Sequence, residues 1–408
     1  MMLGASWERW SEGVADGRLD DQLEAFYGKA EVGAWRARYR EALSLFGARY
    51  GTTGEEVVIA RCPGQMNIMG VHIDYGGMPS IRLAVRGRDT LTVARANPDG
   101  AVRLSNVLRY EGEPEERFAP VSFDLTAVLP AENVGTRQAL MDYAGRVCAE
   151  RQARTGRAQV DDWSVLVQGQ LVFLESLHRG RTRFHGFDGL VWSNVSPSGG
   201  MSSSSALVIS TACAALGVHG LDPRRDLELA DLVDGVGTSE WIRGTRGGTA
   251  DHGGMILGHT GRLVSVGVFP AQALGYADLP ETHAALILDS GVPRVYDEAM
   301  KEETVIAYPL GTFFISQLVL PRLAGTPGFE GLVPDYAENT HYIRDLTCAR
   351  LGIGLPQLYQ LLQALPQTTT LAEVEAQAGP AYAAFHQQQI GGRFQRIGPE
   401  YPIRLRRR

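Results

Sequence analysis

Apolar positions recur every three to four residues between Asp20 and Tyr50, which predicts N-terminal helices. The β-rich run Val57–Cys62 predicts a strand that meets the turn signal Pro63-Gly64. Residues 89–105 alternate on both sides of Asn97-Pro98-Asp99-Gly100 and predict a hairpin of two adjacent strands. A helix follows over 136–155, then strands over 163–172 and 187–195, then helices over 203–218 and 226–244. The run 283–291 predicts a strand leaving the first domain, and helices are expected at roughly 296–320, 336–351 and 355–364. The intervening stretch 269–281 is the expected junction between an N-terminal domain, 1–270, and a C-terminal α+β domain, 271–408.

Composition narrows the partners. The chain has 408 residues, 44% hydrophobic and 21% charged, which suits a globular protein of two domains. A formal net charge of −7 offers no basic field for a nucleic acid backbone. The terminal run Arg404–Arg408 reads as a solvated tail. Cys62, Cys148, Cys213 and Cys348 stand far apart without a C-x-x-C pair, which speaks against a disulfide framework or zinc site and fits a cytoplasmic protein. The start has no signal-peptide pattern, and no uninterrupted apolar run reaches a membrane span of about 18 residues. Small molecules remain the expected partners of a monomer or homodimer.

Between Asn194 and Ser210 the pattern changes character. A predicted strand runs into Gly199, Gly200 and the four serines Ser202–Ser205, which lead directly into small and apolar residues. Glycine lets the backbone turn tightly and approach a ligand. A helix N-terminus presents N–H groups and a favourable dipole to phosphate oxygens. Serine hydroxyls add donors and a hard oxygen ligand for Mg2+. A Gly/Ser linker would not continue straight into the helix, so the stretch reads as a phosphate loop, without the Gly-Lys-Ser/Thr of a Walker A motif.

Residues 61–85 place His72, Asp74 and Tyr75 just beyond a strand and turn. A carboxylate and a histidine beside Gly76-Gly77 suit sugar hydroxyls, and taken alone they equally describe a structural turn. Gly64 to Gly77 resembles the galactokinase signature G-R-x-N-L-I-G-E-H-T-D-Y-N-x-G. Gly200 to Ala206 resembles the second half of that family's phosphate loop, P-x-G-x-G-L-S-S-S-A-A, with Ser196 where proline is usual. Glu240, followed by the run Gly247 to His252, resembles the family's A-E and later C-G-x-M-D-Q. The segment 289–299 resembles the one with a Tyr-Asn pair, Tyr296 taking the Tyr position, and Glu338–Leu346 resembles E-S-H-x-S-L-R-D-L. Five matches in chain order over roughly 57–350 give a resemblance to the GHMP kinase superfamily, in its galactokinase branch.

The resemblance implies an α+β, two-domain GHMP kinase fold with the active site in the interdomain cleft. It implies transfer of the γ-phosphoryl of ATP, with Mg2+, to the anomeric hydroxyl of a sugar. Ser198, Gly199, Gly200, Met201, Ser202, Ser203, Ser204 and Ser205 would cradle the triphosphate, and Ser204 and Glu240 would hold Mg2+. Asp251 would take or orient the proton of the sugar hydroxyl. His72, Asp74, Val71 and Tyr296 would face the sugar. Read without the family, Glu240 is an exposed helix residue, Asp251 a turn or cap residue, and Tyr296 a core aromatic.

Three positions depart from the family pattern. Gln65 stands where galactokinases have a catalytic arginine; Arg61, Arg243 and Arg246 are near motif residues in sequence as candidate replacement cations, although each taken singly reads better as an ordinary surface charge. Val71 replaces the signature glutamate that contacts the far hydroxyl of the hexose, which points away from galactose toward a sugar deoxygenated, shortened or modified at its distal carbon. The Gly-rich segment near the family's C-terminus has only a weak counterpart at 389–398, so the second domain is expected to lack that motif or to be incomplete. The alternatives are a catalytically weak relative that senses sugar and nucleotide, and a GHMP kinase for a non-sugar alcohol.

Overall fold

The computed structural model describes residues 2–109, 116–157, 160–197, 199–244, 246–280, 282–288, 292, 297–391, 394 and 396–406. A short strand β1 (Met2–Ala5) precedes helices α1 (Trp7–Asp16), α2 (Asp20–Tyr27) and α3 (Val32–Tyr50). Strands β2 (Val57–Met69), β3 (Ser80–Ala96), β4 (Ala101–Leu108) and β5 (Val121–Asp124) follow, then the single turn α4 (Leu125–Val128). Next come α5 (Arg137–Thr155), α6 (Ser164–His178), β6 (Phe187–Ser193), α7 (Ser203–Val218), α8 (Leu229–Ser239) and α9 (Ala250–Ile256). Strands β7 (Arg262–Gly267) and β8 (Gln272–Asp278) complete the sheet before α10 (Glu298–Phe314).

The sheet order is β1-β2-β3-β6-β4-β5, with β7 between β3 and β8. The long strand β3 is shared, since residues 90–96 pair with β6 and residues 80–82 with β7. Period-2 alternation sorts the side chains into two layers. Val57, Ile59, Leu91, Val93, Leu190 and Trp192 face α1–α3 and pack on Trp10, Trp35, Tyr39 and Phe46. Ala60, Cys62, Ala94, Val102 and Leu104 face the other way, onto α5–α8. A separate core forms around α10 and the shorter helices after it. Together these give an α+β fold with two main centres of packing.

Four expectations need correction. The strands on either side of Asn97-Pro98-Asp99-Gly100 are not partners: β6 lies between them, antiparallel to β3 and parallel to β4. Alternation predicts strands but not which strand sits beside which. Residues 164–172, after the N-cap Trp163, belong to helix α6, which is buried nearly all round, so its polar face and hence its 3.6-residue period are absent. Residues 283–288 have no regular structure, and Leu286 and Leu288 are exposed; 289–291 lie outside the described residues. The helix expected over 336–351 breaks into turns at 336–339, 343–345 and 348–351, where the Asp345 carboxylate accepts from the His341 and Tyr342 N–H groups.

The helix expected from 296 begins at Glu298, passes through a π turn at Ile315–Val319 and ends at Leu323. Its span Ala299–Leu323 is long and apolar enough to cross a membrane, yet 61% of its apolar 18-residue window is buried in the protein, where Ile306, Leu310, Phe314 and Leu320 centre the second core.

Candidate active site

Strand β2 carries the signature to the sheet's end, and Gln65 points into the protein, 2% exposed. The backbone beside it is pinned to the loop before α7, since the Gln65 N–H donates to the Met201 carbonyl at 3.2 Å. A side chain on Gly64 would come within 3.3 Å of that carbonyl. The loop turns through Gly200 at φ +76° and Ser202 at φ +57°. A Cβ on Gly199 would press to 2.9 Å from Ser196, whereas one on Gly200 would meet open space. Ser202 is the N-cap of α7, but its side chain does not cap the helix. Its hydroxyl donates instead to Asp251 Oδ2 at 2.6 Å. Ser203 is half-buried, Ser204 exposed and Ser205 buried on the first turn of α7. The loop therefore offers first-turn amides and hydroxyls at one open helix end, the arrangement that binds phosphate oxygens.

Asp251 lies in α9 and collects three donors. Besides Ser202, Gln65 Nε2 donates to Oδ1 at 3.1 Å, and Arg82 from β3 forms an ion pair with the same oxygen. Gln65 Nε2 also donates to Ser202 Oγ at 2.9 Å, while its Oε1 accepts from Arg82 Nη1 at 3.3 Å. Arg82 is 2% exposed and Asp251 is half-buried.

Beyond β2 the chain turns at Gly70, and Val71 (62% exposed) and His72 project outward. His72 takes φ +60° and stacks on Tyr75 at 6.0 Å, with Tyr308 of α10 at 6.3 Å on from Tyr75. Asp74 is buried and accepts from the Ala250 N–H at 3.3 Å. Burial, and next the neighbouring Asp251 charge, push its carboxyl above the ordinary value, with Arg82 opposing. The turn is held from the second core. A Cβ on Gly76 would strike Tyr308 at 2.5 Å and Ile343 at 2.6 Å, and Arg344 Nη1 donates to the Gly77 carbonyl at 3.1 Å. Arg344 also donates to the Val268 and Phe269 carbonyls, so the 338–346 segment fastens the turn at Gly76-Gly77 to the end of strand β7.

The chain matches the galactokinase galactose-binding signature over residues 44–95 and the GHMP kinases N terminal domain over residues 166–259. The matched segments are those that characterise the galactokinase-like branch of the GHMP kinases. It is 22% identical over 358 residues to a galactokinase of Candida parapsilosis, covering 85% of this chain and 63% of that protein. It is 26% identical over 259 residues to an L-arabinokinase of Arabidopsis thaliana, covering 58% of this chain and 23% of that protein. The chain thus spans less than two thirds of the length of both relatives. The solved Lactococcus lactis galactokinase complexed with galactose is 20% identical, with a TM-score of 0.48 over 74% of this chain and 66% of that one.

In this galactokinase-like chain the structure brings Gln65, Ser202 and Asp251 into one hydrogen-bonded group and sets Asp74 against the start of α9. Ser198 and Tyr296 lie outside the described residues. Glu240 accepts or shares a hydrogen bond with the buried His252 at 2.9 Å, which fixes one carboxylate oxygen. No hydrogen bond joins Glu240 to Ser204 among the described residues. Nor do three or more His, Cys, Asp or Glu side chains cluster there as a metal cage. The Ser204 hydroxyl is exposed and Glu240 engages His252 through one carboxylate oxygen, so each is the kind of hard oxygen donor that Mg2+ takes beside phosphates and water.

Among the described residues, none of Arg61, Arg243 and Arg246 is bonded to Asp251. Arg61 is committed to the buried Asp89 at 2.8 Å, Arg243 donates to the Val160 carbonyl, and Arg246 reaches Gln389. The residue that sequence reasoning missed is Arg82. The signal was present as a lone cation in the apolar run Ser80–Val85 directly after the signature. A cavity of about 490 Å³, lined by Phe314, Val319, Arg322 and Thr368 among others, lies in the second core and contains none of the site residues.

Proposed function

We propose that this chain transfers the γ-phosphoryl of ATP to the anomeric hydroxyl of a sugar other than galactose. The observation that carries this is the Asp251 carboxylate, held by Ser202, Gln65 and Arg82 where the phosphate loop meets the sugar signature. A half-buried carboxylate anchored by one hydroxyl from the loop is placed to accept or orient a proton beside bound phosphates. The serine loop Gly199–Ser205 would receive the triphosphate through backbone N–H groups, and Ser204 and Glu240 would hold Mg2+. Bound Mg2+ supplies charge neutralisation across the phosphate oxygens. His72 and Asp74 would bind sugar hydroxyls.

The choice of sugar rests on the rim. Ile68, Met69, Val71 and Met78, all exposed, follow one another along the end of β2 and its turn. That surface favours a substrate without a hydroxymethyl group there, such as a pentose or 6-deoxyhexose, because a hydroxyl set against it would lose hydrogen bonds to water. The name L-arabinokinase on one relative, a pentose kinase, agrees with this. The ion pair of Arg82 with Asp251 supports turnover over a sensing role, since the centre keeps a cation despite Gln65. The test is ADP release with Mg2+ and ATP across free hexoses, pentoses and 6-deoxyhexoses, with Asp251→Asn alongside. Turnover on one pentose or deoxy sugar, lost by at least about 100-fold in the variant, is expected. Galactose as the best substrate, or no turnover on any sugar, would overturn the reading.

A further inference from the structure

We infer that Arg82 and Gln65 form a relocated pair, in which Arg82 supplies from β3 the cation that position 65 lacks and positions Asp251. This rests on the kinase reading above.

The register explains the reach. β2 and β3 run antiparallel with Asn67 opposite Arg82 and Gln65 opposite Ala84, so Arg82 sits diagonally across from Gln65 on the neighbouring strand. Long side chains span that diagonal. Space for the stem is made by α9, where a Cβ on Gly254 would stand 2.8 Å from Arg82 Cβ. A guanidinium at 2% exposure demands partners, and Arg82 has Ser80 Oγ at 2.9 Å, Gln65 Oε1 and Asp251 Oδ1. Its charge also acts on Asp74, so one cation stands between the two carboxylates of the site.

Gln65 is then the side chain this geometry requires. Its amide accepts from Arg82 with Oε1 and donates to Asp251 and Ser202 with Nε2. Arginine has five donors and no acceptor, so Gln65→Arg would replace the acceptor facing Arg82 with a second guanidinium, and the two would have only the Asp251 carboxylate to share. Restoring the family residue alone should therefore harm the enzyme.

The test uses the full chain with its preferred sugar and four variants. Arg82→Met is expected to lower kcat by about 100-fold or more while the KM for ATP stays within about threefold. Arg82→Lys keeps the charge and should recover about tenfold over Arg82→Met. Gln65→Arg alone should lose about tenfold or more, and the double variant Gln65→Arg/Arg82→Met should exceed Arg82→Met by about tenfold. A kcat for Arg82→Met within threefold of the parent, or a gain in Gln65→Arg alone, or no rescue in the double variant, would overturn the pair. If the parent phosphorylates no sugar, the kinase reading fails by itself. The pair is then judged by urea unfolding of Arg82→Met, Asp251→Asn and their combination. Non-additivity of about fivefold in the unfolding constant supports it, and additivity sinks it.

Discussion

Gly248→Ala adds one methyl group behind the Asp74 carboxylate. Gly248 does not occupy the left-handed region, so alanine meets no backbone strain and the variant probes sterics alone. Its Cβ would stand 1.7 Å from Asp74 Oδ2 and 2.2 Å from Cγ, well under the 3.0 Å that such atoms require. Asp74 has a short side chain, is buried, and begins a turn wedged by Tyr308 and Ile343 against Gly76, so it cannot retreat cheaply. Overpacking a tight site costs about 1–3 kcal/mol. Breaking the charge-assisted bond from the Ala250 N–H adds about 1.5–3 kcal/mol. A total of about 3–5 kcal/mol should lower Tm by about 4–6 °C, at roughly 1 °C per kcal/mol for a chain of 408 residues. The sugar KM should rise by about 30-fold, the equivalent of about 2 kcal/mol of lost binding, because the carboxylate leaves its place. The KM for ATP should change by less than about threefold, since the atoms crowding Gly248 all belong to Asp74. Thermal unfolding and initial-rate kinetics on the same preparation decide it. A Tm within 2 °C of the parent, together with an unchanged sugar KM, would refute the placement of Asp74.

Two further outcomes concern charge. Burial raises the Asp74 carboxyl, so its contribution to stability is full below the unfolded value and is lost as pH rises through the folded one. Asp74→Asn should therefore be more stable than the parent at pH 8 in urea, with the advantage gone at pH 4, and should lose sugar phosphorylation. His219 behaves in the opposite sense: burial pushes its imidazole down to about 4, and its ring stacks on Phe184 at 4.1 Å and bonds the Ala215 carbonyl at 2.6 Å. Its folded form resists the proton that the unfolded chain takes, so stability present above pH 6.5 falls by about 2–3 kcal/mol as pH drops toward 4. Urea midpoints at pH 7 and 4.5 should converge by that margin in His219→Phe, and an identical pH slope in parent and variant would remove His219 as the cause.

The outline of the candidate site was legible because its motifs are local. The serine loop, Asp251 and the turn at Asp74 each announce themselves within a dozen residues. Arg82 did not, since its role depends on a strand register that brings it beside Gln65 and on a glycine in α9, Gly254, that leaves it room. The same distinction runs through the fold. Helix α3 was readable from its one buried stripe of Trp35, Tyr39, Leu43 and Phe46. Helix α6 was not, because Gly169 lets it approach the Ser239 carbonyl and Gly235 admits the ring of Phe173, which leaves no polar face to mark its period. Residues 289–296, where Tyr296 falls, carry no structural description to compare with their motif except Val292.

The late arrival of β6 orders the assembly of the protein. β3 and β4 are complete by Leu108, yet each exposes an unpaired edge until Phe187–Ser193 slides between them about eighty residues later. An emerging chain must keep those edges apart from each other and from other chains for the whole interval, during which α5 and α6 are made. When β6 zips in, its last residue stands six ahead of Gly199, so closing the sheet and drawing the serine loop against β2 become one event. A ribosome-bound fragment ending near residue 180 should be protease-sensitive across β3 and β4, and nucleotide binding should emerge only with the segment that locks the sheet.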